Sequence, residues 1–276
     1  MSLTSGIGHG EVVDLAHAGK NVRLFVVIPA SAQPRWGATE RQDLWWVGPL
    51  LTLLVLSAFV VYATFRALMN SAYEAGELLS PFYSPNLGHW TALPQWLSPA
   101  VLILWAPGGF RLTCYYYRKA YYRSFTLHPP GCAIAEGKRG DYRGETAFPL
   151  ILQNLHRYLL YVALLVLVFL WYDVWKALWP GGTFGVTVGT LVLALGAGLL
   201  TGYTFSCHSL RHLIGGQVDC FSANAVCRAR GRAWGKLSSL NENHMLWAWT
   251  SLFGVMFADF YVWMVASGRI TNVRLL

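Results

Sequence analysis

The sequence predicts an all-α integral membrane protein built as a five-helix bundle. Hydrophobic residues make up 55% of the 276 residues and charged residues only 12%, about half the charged share of an ordinary soluble domain. A helix that crosses the hydrocarbon core of a bilayer needs roughly 20 apolar residues. Five stretches meet that requirement, at residues 44–69, 97–117, 148–179, 184–214 and 244–267.

These stretches belong to one membrane domain at residues 43–268. It follows a cytoplasmic N-terminal arm at residues 1–42 and precedes a short outer tail at residues 269–276. Residues 1–40 carry Asp, His, Lys and Arg where a cleavable signal peptide would need an apolar core. The sequence shows no evident internal repeat.

The distribution of positive charge predicts the orientation. The chain has 21 Lys and Arg against 13 Asp and Glu, a net charge of +8. Most of the basic residues fall before the first span or in the connections 121–147 and 215–243, which lie on the same side. The positive-inside rule places that side, with the N-terminus, in the cytoplasm and the C-terminus outside. The charge therefore needs no nucleic-acid partner, and the basic connections would contact either anionic lipid or an acidic soluble protein.

Histidines and cysteines crowd toward the cytoplasmic ends of the spans. Because consecutive helices alternate in direction, a late position on the second and fourth spans has the same depth as an early position on the third and fifth. A single His near a helix end is more often a hydrogen-bonding group, and Cys packs as a small hydrophobe. Polar residues that converge within a membrane usually mark function. Seven potential ligands share this layer: Cys114, Cys132, His156, Cys207, His208, His212 and His244.

Two metal centres suit such a layer. Two histidines on facing helices would hold a b-type haem, whereas two Cys and two His would hold a Rieske-type [2Fe–2S] cluster. The Cys-x-x-Cys spacing of a structural zinc site is absent, and Cys220 and Cys227 are interpreted as reduced cytoplasmic thiols. A transporter with a cytoplasmic His/Cys metal site is a further alternative, but the first two spans lack the interrupted helices that transporters repeat in a second half.

Four segments resemble a known family. They are CYYYRKAYYR at residues 114–123, FPLILQNLHRY at 148–158, SCHSLRHLIGG at 206–216 and NENHMLWAW at 241–249. Together they resemble the single-chain, five-helix membrane subunit of succinate dehydrogenase (respiratory complex II), in the class that lacks haem and carries a membrane-embedded Rieske-type cluster. The resemblance covers roughly residues 45–268.

The resemblance implies partners and cofactors. Members of the family anchor a flavoprotein subunit with covalent FAD and an iron–sulfur subunit with further clusters, in the plasma membrane of a prokaryote. Electrons from succinate pass through those subunits and reduce a membrane quinone, so the chain would be a flavin-free subunit of an enzyme. Oligomers of the complex are a further expectation, and an anchor that holds haem b is the alternative. Di-haem relatives place axial histidines on the first and second helices, and residues 44–69 and 97–117 contain no His.

The resemblance also implies a ligand set. Cys114 and Cys207 are expected on one iron, and His156 and His244 on the other. His208 and His212 form a reserve pair, four residues apart on one helix face, and Cys132 is a weaker reserve. Quinone is expected near the cytoplasmic surface, with the candidate contacts Tyr117, Arg118 and Trp247.

Overall fold

The computed structural model describes residues 35–90, 94, 96–136 and 143–276, and most of the expected arm at 1–42 lies outside them. Apart from one two-stranded hairpin, the regular structure described is helical. The helices are α1 (Val47–Met69), α2 (Leu87–Trp90), α3 (Pro99–Leu112), α4 (Tyr115–Tyr121), α5 (His156–Lys176), α6 (Val188–Phe205), α7 (His208–Gly215), α8 (Ala225–Glu242) and α9 (His244–Ala266). The hairpin pairs β1 (Glu74–Ala75) with β2 (Leu78–Leu79). Shorter turns are 3-10 helical at Pro81–Tyr83, Gly144–Thr146, Leu150–Leu155 and Pro180–Gly182, and π-helical at Tyr122–Thr126.

Within the described residues, four helices are long and apolar enough to cross a membrane: α1, α5 with the 3-10 turn before it, α6 and α9. They correspond to the first, third, fourth and fifth expected spans. The second expected span is shorter, because α3 has 14 residues, or about 21 Å at 1.5 Å per residue, against a hydrocarbon core of about 30 Å. The expected helix at 97–117 is therefore two helices, α3 and α4.

Two helices are interrupted at the same end of the bundle. Cys114 has φ −67° and ψ 131°, and Cys207 has φ −66° and ψ 133°. This extended conformation ends α3 and α6, and each cysteine becomes the residue that precedes the next short helix, α4 or α7. The expectation that Cys207 and His208 lie within one long helix at 184–214 was wrong, because α6 stops at Phe205 and α7 begins at His208.

Helices α6 and α9 pack closely because small residues face each other. A side chain at Gly196 would lie 3.3 Å from the Cβ of Ala258 and 3.5 Å from the carbonyl oxygen of Gly254. Such small residues allow helix backbones in a membrane to approach and gain van der Waals contact. Around this pair, Leu167 and Leu193 belong to the buried apolar core that joins α5 to α6.

The two ends of the described chain lie at opposite ends of the bundle. Near its start, Gly37 and Ala38 exchange backbone hydrogen bonds with Ala135, in the loop that follows α4. At the C-terminus, Arg274 forms a β-bridge with Thr187, the N-cap of α6. We call the end that holds the interrupted helices the site end and the other the far end.

A buried ion pair closes the far end. Arg66 of α1 and Asp259 of α9 are both fully buried, with 2.8 Å between Nε and Oδ2. Tyr62 and Ser80 donate further hydrogen bonds to the same carboxylate, and the hydroxyl of Tyr83 donates to the Arg66 carbonyl. A charge in this position is costly unless it is paired and hydrogen-bonded, so the network joins α1, α9 and the hairpin loop.

Replacing Asp259 with Asn should destabilise the protein strongly, because Arg66 would remain buried without its counter-charge. The expected cost is about 3–5 kcal/mol, measured as a lower thermal midpoint of the detergent-solubilised protein. Glu77→Gln is the matched control: its pair with Lys176 is half-exposed, with 3.6 Å between charged atoms, and should contribute at most about 1 kcal/mol. Equal midpoints for the two variants would contradict a structural role of the Arg66–Asp259 pair.

Candidate metal centre

The four residues of the leading ligand set meet at the site end in two Cys–His contacts. The Nε2 atom of His156 lies 3.2 Å from the sulfur of Cys207, and the Nε2 atom of His244 lies 3.4 Å from the sulfur of Cys114. Each contact joins residues that are distant in sequence, and the four come from the starts of α5 and α9 and the breaks that precede α4 and α7. The site therefore exists only in the folded bundle.

Each imidazole is also held from its other nitrogen. The Nδ1 atom of His156 lies 2.9 Å from the hydroxyl of Thr113, and the Nδ1 atom of His244 lies 2.7 Å from the hydroxyl of Ser206. The arrangement is crossed, because each imidazole takes its hydroxyl from one interrupted helix and its thiol contact from the other. A hydroxyl on Nδ1 fixes the ring and directs Nε2 toward the sulfur, which is how proteins orient imidazoles that bind metals.

Aromatic rings cover both imidazoles. The ring of Phe110 stacks on His156 with 4.6 Å between centroids, and the ring of Tyr203 stacks on His244 with 5.2 Å. The two cysteines and His156 are buried, and His244 is partly exposed. Water has little access to the four donor atoms, so a charged or metal-bound state there would be determined by the neighbouring protein groups.

Sequence reasoning missed the residues that support the ligands. Phe110, Thr113 and Cys114 have the same spacing as Tyr203, Ser206 and Cys207, so an aromatic-x-x-hydroxyl-Cys pattern occurs twice. This short repeat is the signal that could have revealed both hydroxyls and both rings, and the expectation of no internal repeat overlooked it. Each copy ends one helix and begins the next.

Arg111 is a second residue that sequence reasoning missed. Its guanidinium lies over the Tyr203 ring at 4.5 Å and donates hydrogen bonds to the Tyr117 hydroxyl at 2.5 Å, the Ala248 carbonyl at 3.2 Å and the Ser251 hydroxyl at 2.9 Å. All three acceptors are neutral. The site end therefore carries a partly buried positive charge beside the candidate ligands.

The reserve ligands are separate from this cluster. His208 and His212 are exposed on α7, and Cys132 is exposed in the loop after α4. Across the described ranges, no three His, Cys, Asp or Glu side chains form a group suited to hold one metal ion. A [2Fe–2S] cluster takes only two protein ligands on each iron, and the two Cys–His contacts provide that number.

The expected quinone contacts lie close together but in different environments. Tyr117 is buried and donates a hydrogen bond to the Ala248 carbonyl at 2.7 Å. Trp247 packs against the same buried cluster, and its Nε1 atom has no hydrogen-bond partner among the described residues. Arg118 pairs instead with Glu145 in the next loop, and that hydrogen bond lowers the pKa of the Glu145 carboxyl.

Comparison with known proteins identifies the family. Residues 47–268 match the family model described as actinobacterial succinate dehydrogenase subunit SdhC. The chain is also similar to a chain of the solved structure described as the Mycobacterium smegmatis Sdh1 complex in the apo form. The two are 43% identical with a TM-score of 0.80, over 90% of this chain and 98% of that one. No curated protein matches the sequence. The chain belongs to the succinate dehydrogenase SdhC family and is a membrane anchor subunit.

Proposed function

We propose that this anchor passes electrons from the iron–sulfur partner subunit to a membrane quinone, through a Rieske-type [2Fe–2S] cluster held by Cys114, Cys207, His156 and His244. Family membership gives the enzyme complex and its partners, the flavoprotein and iron–sulfur subunits. It also removes the transporter alternative. The crossed Cys–His site is the observation that carries the rest of the proposal.

The donor set fits such a cluster. Two thiols and two imidazoles are the ligand types of Rieske centres, and the hydroxyls of Thr113 and Ser206 occupy the imidazole nitrogens that would not bind iron. A cluster bound here would supply a one-electron relay within the membrane domain. The chain's own residues would hold it, orient the imidazoles and, through the stacked rings of Phe110 and Tyr203, limit the access of water to it.

The overall reaction balances without a further oxidant. Oxidation of succinate to fumarate at the flavoprotein's FAD releases two electrons and two protons. The iron–sulfur subunit's own clusters carry the electrons to the anchor, and quinone takes up two electrons and two protons from water to form quinol. Tyr117, Arg118 and Trp247 remain the proposed contacts for a quinone ring near the site end.

A b-type haem is the alternative cofactor, and an optical spectrum separates the two. A sharp reduced α-band would indicate haem.

The ligands of a cluster could be divided between the two irons in two ways. The expected division has both Cys on one iron and both His on the other, whereas the Cys–His contacts favour one Cys and one His on each iron. Mössbauer spectra of the oxidised complex distinguish these two divisions, because only the one with both Cys on one iron gives two chemically unlike irons.

Changing both His156 and His244 to Ala should abolish the low-average-g electron paramagnetic resonance signal of the membrane domain and impair quinone reduction. Succinate oxidation with an artificial dye should persist, since the flavin belongs to the partner. His208→Ala with His212→Ala is the control pair and should affect the signal less. Loss of the signal in the control pair alone would show that the ligand assignment is wrong, and stoichiometric haem without extra iron would exclude the cluster.

Thr113→Val and Ser206→Ala should each weaken iron binding, because one imidazole loses the group that orients it. Groups that hydrogen-bond a metal-binding imidazole contribute about 10- to 100-fold in metal affinity, so their loss is measurable as faster release of iron to a chelator. Thr250→Val is the control: its hydroxyl bonds only within α9, to the Leu246 and Trp247 carbonyls. Iron retention in Thr113→Val and Ser206→Ala equal to that of the control would mean that the hydroxyls do not support ligands.

We also propose that the site end faces the cytoplasm of a prokaryotic cell, where the soluble partners lie. The basic helix α8, with Arg228, Arg230, Arg232 and Lys236, lies at this end: Trp234 packs against Gly215 of α7, and Arg230 bonds the Ile214 carbonyl. This charge is suited to an acidic protein surface.

A reporter fused after Leu276 should be active only outside the cytoplasm, because the C-terminus lies at the far end. Alkaline phosphatase, which folds outside, and a fluorescent protein that requires the cytoplasm give opposite readings of the same fusion point. Activity of the cytoplasmic reporter would reverse the proposed orientation.

A further inference from the structure

The two Cys–His contacts are two halves of one site that match group for group. Each half contains one thiol, one imidazole, one hydroxyl on Nδ1 and one ring stacked on the imidazole. We call the contact of Cys207 with His156 the first half and that of Cys114 with His244 the second half. Because the donors are the same, a difference in charge between the halves must come from the side chains around them.

The stacked rings differ by one hydroxyl. Phe110 covers the imidazole of the first half, and Tyr203 covers that of the second. The Tyr203 hydroxyl is buried without a hydrogen-bond partner among the described residues, which is costly for a polar group. The Cys114 thiol interacts with it but does not meet the geometry of a hydrogen bond. A neutral thiol is a weak acceptor, whereas a metal-bound thiolate is charged, so this hydroxyl suits Cys114 as a ligand.

Arg111 is the second difference between the halves. In the repeated aromatic-x-x-hydroxyl-Cys pattern it occupies the position that the neutral Thr204 has in the other copy. Its hydrogen-bond partners are neutral, and no carboxylate in the described part of the chain pairs with it. An uncompensated cation at membrane depth is costly and usually functional.

The contacts of Arg111 place its charge beside the second half. The guanidinium lies 4.5 Å over the Tyr203 ring, and the same ring stacks on His244. Its hydrogen bonds to Ala248 and Ser251 run to α9, the helix that begins at His244. Among the described residues, none of its hydrogen bonds reaches α5, the helix that carries the imidazole of the first half. One aromatic ring therefore separates the cation from the second half only.

We propose that Arg111 and the Tyr203 hydroxyl are positioning residues that stabilise, on the Cys114–His244 half of the site, the negative charge that arrives with an electron. The hydroxyl donates to the Cys114 thiolate, and a hydrogen bond to an ionised acceptor is about twice as strong as a neutral one. The guanidinium acts on the same half through the Tyr203 ring, in surroundings of low dielectric. Together they raise the reduction potential of the centre. The metal and the source of the electron rest on the proposed function.

The hydroxyl is tested by Tyr203→Phe, which keeps the ring that stacks on His244. Tyr261→Phe is the matched control, since it removes a hydroxyl that bonds Asn272 at the far end.

The charge of Arg111 is tested by a pair of substitutions. Arg111→Gln removes the charge and keeps a hydrogen-bonding side chain, whereas Arg111→Lys keeps the charge. Arg157→Gln is the control for loss of one cation: Arg157 follows His156 in the sequence but is exposed, and exposed charges are screened.

The measurement is a redox titration of the low-average-g signal, on the three-subunit complex freed of quinone. Tyr203→Phe and Arg111→Gln should each make reduction at least about tenfold less favourable, a midpoint potential lower by about 59 mV for one electron. Arg111→Lys should restore most of this loss, and both controls should match the wild type. Electron–nuclear double resonance of the reduced complex, in H2O and D2O, should show one exchangeable proton that Tyr203→Phe removes and Tyr261→Phe retains.

Midpoint potentials of Tyr203→Phe and Arg111→Gln equal to those of the controls, with the signal intact, would overturn the proposal. A fall in Arg111→Lys as large as in Arg111→Gln would show that Arg111 acts by packing and not by charge. Should Arg111→Gln fail to assemble, Tyr203→Phe and Arg111→Lys still decide the matter. Failure of the proposed function has a different signature, because the wild-type complex itself would then give no low-average-g signal and hold no iron beyond the partner's clusters.

Discussion

The interruption of two helices at one depth is the constraint on which the rest of the site end depends. In a membrane every backbone donor and acceptor must be satisfied within the protein, so a break is tolerated only where the freed groups find partners. Here the groups at the breaks find partners within the protein: the Cys114 carbonyl accepts from the Arg118 N–H at 2.8 Å, and the Ser206 carbonyl accepts from the side-chain amide of the distant Asn241 at 2.7 Å. Because each break precedes a short helix, Cys114 and Cys207 lie at the starts of α4 and α7, and both side chains are buried in the bundle.

The two ends of the bundle handle buried charge differently. At the far end Arg66 and Asp259 neutralise each other, and their network joins α1 to α9. At the site end Arg111 has only neutral hydrogen-bond partners among the described residues. A cation in that position stabilises any negative charge that arrives with an electron. The pair at the far end therefore supports stability, whereas the Arg111 charge suits the redox role proposed for the site end.

The sequence predicted which candidate donor side chains lie near one another better than it predicted the helices that carry them. Depth matching placed seven candidate donors in one layer, because length and hydropathy determine where a span begins and ends relative to the bilayer. The structure brings four of them into contact: Cys114, Cys207, His156 and His244. The same reasoning treated 97–117 and 184–214 as continuous helices, since a break at an extended Cys has no signature in hydropathy. The hydrogen bonds of Arg111 to Tyr117, Ala248 and Ser251 could not be predicted from the sequence, because they depend on tertiary packing.

The crossed connectivity has a consequence for biogenesis. His156 requires Thr113 from the first interrupted helix and Cys207 from the second, while His244 belongs to α9, the last helix to leave the ribosome. No partial product of translation contains a complete set of donors, even when four helices have entered the bilayer. If the proposed cluster is bound here, it could assemble only after the whole chain is integrated, and a truncated anchor would reach the partner subunits without a complete ligand set.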